Sequence, residues 1–116
     1  MHRDLEISFK TPKLAKLCSS RDSARRRWGT ESGDKILRRL NEMKAADTLA
    51  DLIKLPQANC HMLHGDLKGQ WSVNLAFPYR LLFIPANEPL PLKHDGSVDT
   101  ARVTAVMVSG VEDTHG

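Results

Sequence analysis

The spacing of apolar residues changes once along this chain, at Pro56, and that change limits the folds open to it. Before Pro56, apolar residues recur mostly three and four residues apart, which is typical of amphipathic helices. After Pro56, they alternate with polar residues, which is typical of strands. Helical and strand patterns that occupy separate parts of a sequence indicate an α+β fold.

The helical part of the sequence predicts one strand and a hairpin of two helices. Residues 5–9 alternate in the manner of a half-buried strand. Pro12 suits the first turn of a helix, and the apolar stripe that follows predicts a helix over residues 12–28. A short turn containing glycine leads to a second helix over residues 31–44. Residues 47–54 predict one further helical turn.

The second part of the sequence predicts more strands. They cover residues 60–64, 71–76, 79–84 and 103–111. Residues 85–99 contain three prolines and a glycine, and they predict an irregular excursion between the last two strands. The order β-α-α-β-β-β-β predicts an α+β fold in which a small antiparallel β-sheet packs against an N-terminal helical hairpin.

Length and composition indicate one soluble domain. The chain has 116 residues, which is the length of a single domain, and 41% of them are hydrophobic. Its apolar runs stay well short of the roughly 18 residues that a membrane span needs, and its first residues do not resemble a secretory signal. Two cysteines, Cys18 and Cys60, are too few for a disulfide scaffold. We therefore expect a single cytoplasmic domain over residues 1–116 with no membrane partner.

Positive charge is concentrated in the helical part. Residues 1–54 carry 13 Lys and Arg against 8 Asp and Glu, whereas residues 55–116 carry 4 against 6. Clustered cations attract polyanions such as nucleic acid, the ribosome or an acidic protein segment, although a solvated helix face is the alternative. We expect the second helix to turn its basic residues away from its apolar stripe. The basic excess lies in Arg21, Arg25, Arg26, Arg27, Arg38, Arg39 and Lys44.

Histidines and one arginine near the predicted sheet are the candidates for chemistry. The sequence shows no nucleotide-binding glycine loop, paired-thiolate motif or serine-nucleophile motif. Cutting RNA without a metal needs a base, an acid and a cation for the phosphorane charge. Histidine serves as acid or base near pH 7, and the planar fork of arginine suits phosphate. The candidates are His61, His64, Arg80, Asp113 and His115; the residue spacing alone leaves open that the histidines have no catalytic role.

A metal-dependent hydrolase is a second alternative. His61 and His64 are three residues apart, and on a strand that spacing places their side chains on opposite faces. No nearby pair of cysteines or acidic residues completes a ligand set. We therefore expect neither a metal nor another cofactor.

Three segments resemble the HigB-like toxins of the RelE superfamily. Leu55-Pro56 precedes residues 61–73, which read HMLHGDLKGQWSV, and residues 79–83, which read YRLLF. Family members typically carry a leucine-histidine-x-leucine-lysine-glycine-aspartate segment, a glycine-x-tryptophan-serine segment and an aromatic-arginine-hydrophobic strand. Their aspartate-tyrosine-histidine tail is similar to residues 113–115, and the predicted order of elements agrees with the RelE-like fold.

The resemblance implies the toxin of a type II toxin–antitoxin system. Such a toxin is a metal-independent endoribonuclease that enters the ribosomal A site and cuts mRNA during translation. It implies as partners the ribosome, mRNA and a cognate HigA-like helix-turn-helix antitoxin, with no small-molecule cofactor.

The resemblance also implies roles for individual residues. By motif position, Arg80 stabilises the transition-state charge and His115 transfers a proton. His61 is a second proton carrier or a phosphate ligand, and Asp113 orients a histidine or orders the tail.

RNA contacts are expected from His64, Lys68 and the run Arg25, Arg26 and Arg27. The sequence departs from the family at His64, where members carry lysine, and at Thr114, where they carry tyrosine. These departures motivate an alternative, in which a non-catalytic RelE-like module binds antitoxin or ribosome without cleaving RNA.

Overall fold

The computed structural model describes residues 4–67 and 69–113. Its elements follow the predicted order, so the α+β fold class is confirmed. Within these described residues, no helix has the length and apolar character needed to cross a membrane. Two 3₁₀ helices, Gly65–Leu67 and Thr100–Arg102, lie in connections. The helices and strands are β1 (Glu6–Phe9), α1 (Pro12–Leu17), α2 (Arg21–Trp28), α3 (Thr30–Ala45), α4 (Leu49–Ile53), β2 (His61–Met62), β3 (Trp71–Asn74), β4 (Tyr79–Pro85) and β5 (Ala105–Asp113).

The strands form a mixed sheet in the order β1-β5-β4-β3-β2. The pairs β2–β3, β3–β4 and β4–β5 are antiparallel as predicted, whereas β1 pairs with β5 in parallel. The short turn between β3 and β4 forces these two strands to run in opposite directions. Nearly the whole chain separates β1 from β5, so no hairpin sets their relative direction. The prediction of a wholly antiparallel sheet was therefore wrong at its first strand.

One face of the sheet packs against the helices and forms the core. Alternate residues of the central strands point to this face, as the strand period requires. Because successive side chains of a strand alternate between its faces, the residues between these core positions point to the opposite face of the sheet. The core joins Val73, Leu81, Phe83, Val106 and Val108 of the sheet to Ile36, Leu40, Met43, Leu49 and Leu52 of the helices.

The first predicted helix is broken into α1 and α2. Cys18 ends α1, and the hydroxyl of Ser20 accepts a hydrogen bond from the backbone nitrogen of Ser23 at 3.2 Å. This N-cap satisfies one of the backbone donors that a helix start leaves free, so α2 begins as a separate helix. The apolar spacing continues across the break, which is why it predicted one helix.

The hairpin of α2 and α3 is closely packed. Gly29 links the two helices with a φ of 90°, a conformation that glycine adopts readily. A Cβ atom on Gly33 would lie 2.6 Å from the backbone nitrogen of Arg25, so only glycine allows this approach of the helices. The predicted helical hairpin is thus present, with its second arm extending over Thr30–Ala45.

Candidate active site

Arg80 lies on β4, on the face of the sheet opposite the helices. Its guanidinium is fixed by groups on two segments of the chain, β3 and the turn before β2. Nε donates to the hydroxyl of Ser72 at 2.5 Å, and Nη1 donates to the side-chain oxygen of Asn74. Nη2 donates to the carbonyl oxygen of Asn59 at 2.6 Å. These contacts hold the planar fork in one orientation.

The hydroxyl of Ser72, the side-chain oxygen of Asn74 and the carbonyl oxygen of Asn59 form a cradle around Arg80. This cradle contains no carboxylate to balance the charge of Arg80. Among the described residues, the hydrogen-bond partners of its guanidinium are uncharged. Burial disfavours the charged form and therefore lowers the pKa of Arg80 from its ordinary value, but an arginine in a protein stays protonated. The cradle thus presents a fixed positive charge to the cleft beside it, where an anion would be attracted.

His61 on β2 lies beside Arg80. Its Nδ1 atom is 3.0 Å from the carbonyl oxygen of Asn59 and 3.4 Å from Nη2 of Arg80. A carbonyl oxygen can only accept, so the shorter contact assigns the ring hydrogen to Nδ1. The neutral ring then carries its lone pair on Nε2, where it can accept a proton.

Asn59 connects the two candidate catalytic side chains, because its carbonyl oxygen accepts from both. Its φ is 45°, in the left-handed region that asparagine tolerates better than most residues. The sequence analysis did not identify this residue. The available signal was an asparagine in the turn between Pro56 and the strand, which favours such a conformation but does not reveal its partners.

Arg39 on α3 supports the cradle from the core side. It is buried, so the prediction that it faces away from the apolar stripe was wrong. Its Nε donates to the carbonyl of Asn74 at 2.9 Å, Nη2 to the carbonyl of Gln57 at 3.0 Å, and Nη1 to a carboxylate oxygen of Glu42 at 2.9 Å. These main-chain acceptors draw the side chain inward, and apolar spacing cannot predict them. Arg39 thereby ties together the two segments that hold Arg80.

The other predicted catalytic residues belong to the C-terminal tail. Asp113 ends β5 and is the registered neighbour of Tyr79, the residue before Arg80, so the tail begins at the edge of the cradle. His115 and Thr114 lie outside the described residues, as does Lys68. His64 is exposed and follows β2.

The three arginines of the run on α2 differ in their surroundings. Arg25 donates to both carboxylate oxygens of Asp34, at 2.7 and 2.9 Å. This hydrogen bonding holds the pKa of Asp34 below its usual range. Arg27 lies 5.6 Å from the ring centre of Trp28, and it lines a shallow groove against β5. Arg26 is exposed. The structure therefore uses Arg25 to join α2 to α3 and leaves Arg26 and Arg27 at the surface.

A cleft of about 470 Å³ opens beside the cradle. His61, Asn74 and Arg80 line one part of it, and residues of the β3–β4 turn and Lys35 of α3 line the rest. Such a volume is within the range of small-molecule sites. A larger cleft of about 630 Å³ is lined by other residues, among them His94 and Arg102. The smaller cleft is the one that contains the candidate catalytic groups.

Neither cysteine is prepared for nucleophilic chemistry. Burial raises the pKa of Cys18 to about 11 and that of Cys60 to about 12, while the charge of Arg80 acts in the opposite direction on Cys60. Both are therefore protonated thiols at neutral pH. Within residues 4–67 and 69–113, no group of three or more His, Cys, Asp or Glu side chains is placed to hold a metal ion.

Comparison with known proteins gives one family. A family model described as the RelE-like toxin of the type II toxin–antitoxin system HigB matches residues 7–90, which is more than half of the chain. The matched range includes His61 and Arg80 and ends before Asp113. A search of curated proteins found no match.

Proposed function

Because the chain belongs to the HigB-like family of RelE-like toxins, we propose that it is a ribosome-dependent endoribonuclease that cuts mRNA during translation. We further propose that a HigA-like helix-turn-helix antitoxin neutralises it. The observation that carries the catalytic proposal is the shared carbonyl of Asn59, which holds Arg80 and His61 side by side at one cleft.

The proposed reaction is an internal transfer at the scissile phosphate. The 2′-oxygen attacks the adjacent phosphorus, and the bond from phosphorus to the 5′-oxygen of the next nucleotide breaks. A base takes the proton of the 2′-hydroxyl, and an acid gives a proton to the leaving 5′-oxygen. The products carry a 2′,3′-cyclic phosphate and a 5′-hydroxyl, so no water or metal-bound hydroxide enters this step.

Arg80 supplies the positive charge for this reaction. Negative charge accumulates on the phosphate oxygens in the transition state, and a donor that is already oriented needs no reorganisation at that moment. The contacts to Ser72, Asn74 and Asn59 provide this orientation. We expect Arg80→Ala to lower the cleavage rate by about 10²–10³-fold, as removal of one positioned transition-state donor does.

His61 and the tail provide the proton transfers. With its hydrogen on Nδ1, His61 can accept the 2′-hydroxyl proton at Nε2. We assign the protonation of the leaving oxygen to His115, with Asp113 orienting it, as the family resemblance implies. The register of Asp113 opposite Tyr79 supports this assignment, because it starts the tail next to Arg80.

The test is to map new 5′ ends on a defined mRNA, as naked RNA and on translating ribosomes, with EDTA in one naked-RNA arm. The variants are Arg80→Ala, His61→Ala and His115→Ala, and the matched controls Arg102→Ala and His94→Ala replace the same residue types in the other cleft. We expect new ends that require ribosomes, Arg80 and His115, and that the control variants still produce.

Other outcomes would replace the proposal. Translation that stalls without any new 5′ ends would establish the non-catalytic binding module. Cleavage that EDTA abolishes would establish a metal-dependent hydrolase. Cleavage that survives in all three site variants at equal protein abundance would show that the residue assignment is wrong.

A further inference from the structure

Exposed aromatic side chains lie on the cleft beside Arg80. Phe77 is 79% exposed and Tyr79 is 43% exposed, and both line this cleft. The described phenylalanines elsewhere, Phe9 and Phe83, pack in or against the core. Phe77 and Tyr79 therefore place exposed aromatic surface next to the cationic cradle.

Backbone hydrogen bonds close the turn between β3 and β4 that carries Phe77. The nitrogen of Leu75 donates to the carbonyl of Tyr79 at 3.2 Å, and the nitrogen of Tyr79 donates to the carbonyl of Ala76 at 2.9 Å. These bonds close the β3–β4 turn with Phe77 at its tip. A turn closed in this way loses little backbone freedom on binding, which favours its use as a recognition surface.

The cleft combines cations with aromatic rings. Arg80 and His61 lie in one part, and Lys35 of α3 lines the cleft as well. This combination matches a nucleotide, because the phosphate is anionic and the base presents a flat π-face that stacks on aromatic side chains.

We propose that Phe77 and Tyr79 form a stacking wall for a nucleobase of the RNA strand whose phosphate Arg80 binds. This inference rests on the proposed function.

The experiment combines side-chain variants with removal of the base. Cleavage and binding are measured for wild type, Phe77→Ala, Phe77→Leu and Phe77→Tyr on ribosomes programmed with intact mRNA or with mRNA that has one abasic nucleotide next to the cleavage site. Leu92→Ala is the control, since Leu92 is an exposed apolar residue on the other cleft. Binding uses the same mRNAs with a 2′-deoxy nucleotide at the cleavage site, which prevents the reaction.

We expect Phe77→Ala to weaken binding of intact mRNA by about tenfold, with KM affected more than kcat. Phe77→Leu should resemble Phe77→Ala because leucine lacks a π-face, whereas Phe77→Tyr and Leu92→Ala should resemble wild type. Removal of the base should weaken binding to wild type and have little further effect on Phe77→Ala.

Several results would overturn the wall. Equal losses for intact and abasic mRNA in Phe77→Ala would exclude stacking. Unchanged RNA binding together with weakened antitoxin binding would assign these rings to a protein interface. The failure of the proposed function is distinguishable, because a wild type that does not cleave intact mRNA refutes the nuclease while the uncleavable RNAs still test the wall.

Discussion

Arginines of the α2–α3 hairpin contact carboxylates, whereas the cradle on the sheet holds Arg80 with uncharged groups. Arg25 bonds Asp34 through two nitrogens, and Arg39 bonds Glu42 at 2.9 Å. In the cradle, a hydroxyl, a side-chain amide and a main-chain carbonyl take the same role. A carboxylate cancels most of the guanidinium charge at a distance, while a neutral acceptor orients it and leaves its charge.

The difference shows that charge counted along a sequence is not the charge that a fold presents. The helical half carries the basic excess, yet part of it stabilises the hairpin itself. The second half has a small acidic excess, yet it contains the arginine whose charge is aimed at a cleft. The following predictions change one arginine or one partner at a time to test this contrast.

The largest effect on stability is expected at Arg39. Its side chain is 6% exposed and that of Glu42 is 18% exposed, so Arg39→Ala removes the cationic partner of a shielded carboxylate and the donor to two main-chain carbonyls. We expect a loss of about 3–5 kcal/mol in the free energy of unfolding. Urea unfolding measures it, with the exposed neighbour Arg38→Ala as control within about 0.5 kcal/mol of wild type.

The companion double variant, Arg39→Met with Glu42→Leu, should recover much of that loss, because replacing both members of a buried pair leaves no unmatched charge. If Arg39→Ala loses less than about 1 kcal/mol, the hairpin does not depend on this pair and the contrast with Arg80 fails.

Asn74→Asp places a carboxylate beside Arg80, as Asp34 is placed beside Arg25 in the helical hairpin. The side chains have nearly the same shape, so the contact to Arg80 persists but becomes an ion pair. A unit charge about 4 Å away interacts with another by about 4 kcal/mol at an effective dielectric of 20, which would weaken phosphate binding. We expect cleavage to fall on the order of 10²-fold, with a melting temperature no lower than that of wild type.

The control for that variant is Asn41→Asp, which adds the same charge at an exposed position of α3. Cleavage by Asn74→Asp at the wild-type rate would mean that the uncompensated charge of Arg80 has no part in the reaction.

Arg25 and its neighbours should separate stability from RNA binding. Arg25→Gln removes the ion pair to Asp34, whose members are both more than a third exposed, so its cost should be smaller than that of Arg39→Ala. The pKa of Asp34 is lowered in the folded state, so this pair stabilises above the ordinary aspartate pKa of about 3.9. Its contribution should disappear as the pH falls below that value, as unfolding of wild type and Arg25→Gln from pH 7 to pH 3 would show.

The same variants have a second readout in ribosome binding. Replacing Arg26 or Arg27 should reduce the slope of log affinity against log salt concentration by about 1 each, whereas Arg25→Gln should leave it unchanged. An equal reduction for all three would restore the arginine run as one RNA-binding surface.

The fold was largely predictable because its signals are local. Alternation located the strands, and apolar spacing located α3. The hydroxyl of Ser20 divides α1 from α2 without altering that spacing, and the parallel pair β1–β5 depends on contacts between the two ends of the chain. Spacing therefore gave the elements, while side-chain bonds and distant pairings set their boundaries and directions.

The candidate site was predictable only for residues whose chemistry is visible in the sequence. A histidine and an arginine suggest phosphate chemistry by their type, so His61 and Arg80 could be proposed. Asn59 acts through its main-chain carbonyl, which every residue has, and Arg39 acts through carbonyls that folding brings to it. Phe77 looked like any apolar residue until the turn exposed it.

The smallest effect on stability at neutral pH is expected from the ionisation of the two thiols. Cys18 lies at the end of α1, and Cys60 lies just before β2. The pKa values of Cys18 and Cys60 rise from 9.0 to about 11 and about 12, because burial favours the neutral form. A raised folded-state pKa means that the stabilisation is complete below pH 9 and is lost as the pH rises toward 11 and 12. Unfolding between pH 7 and 10.5 should show this loss, and Cys18→Ala or Cys60→Ala should reduce it.

Arg80 should distinguish the two thiols. Its positive charge favours the thiolate of Cys60, so Arg80→Ala should raise the pKa of Cys60 further and leave Cys18 unchanged. Alkylation by iodoacetamide above pH 9 measures this, because only the thiolate reacts. If Cys60 alone is alkylated more slowly in Arg80→Ala than in wild type, the charge of Arg80 acts on its surroundings without being balanced by the cradle. Equal rates in wild type and variant would show that the neutral groups around Arg80 screen its charge as fully as a carboxylate does.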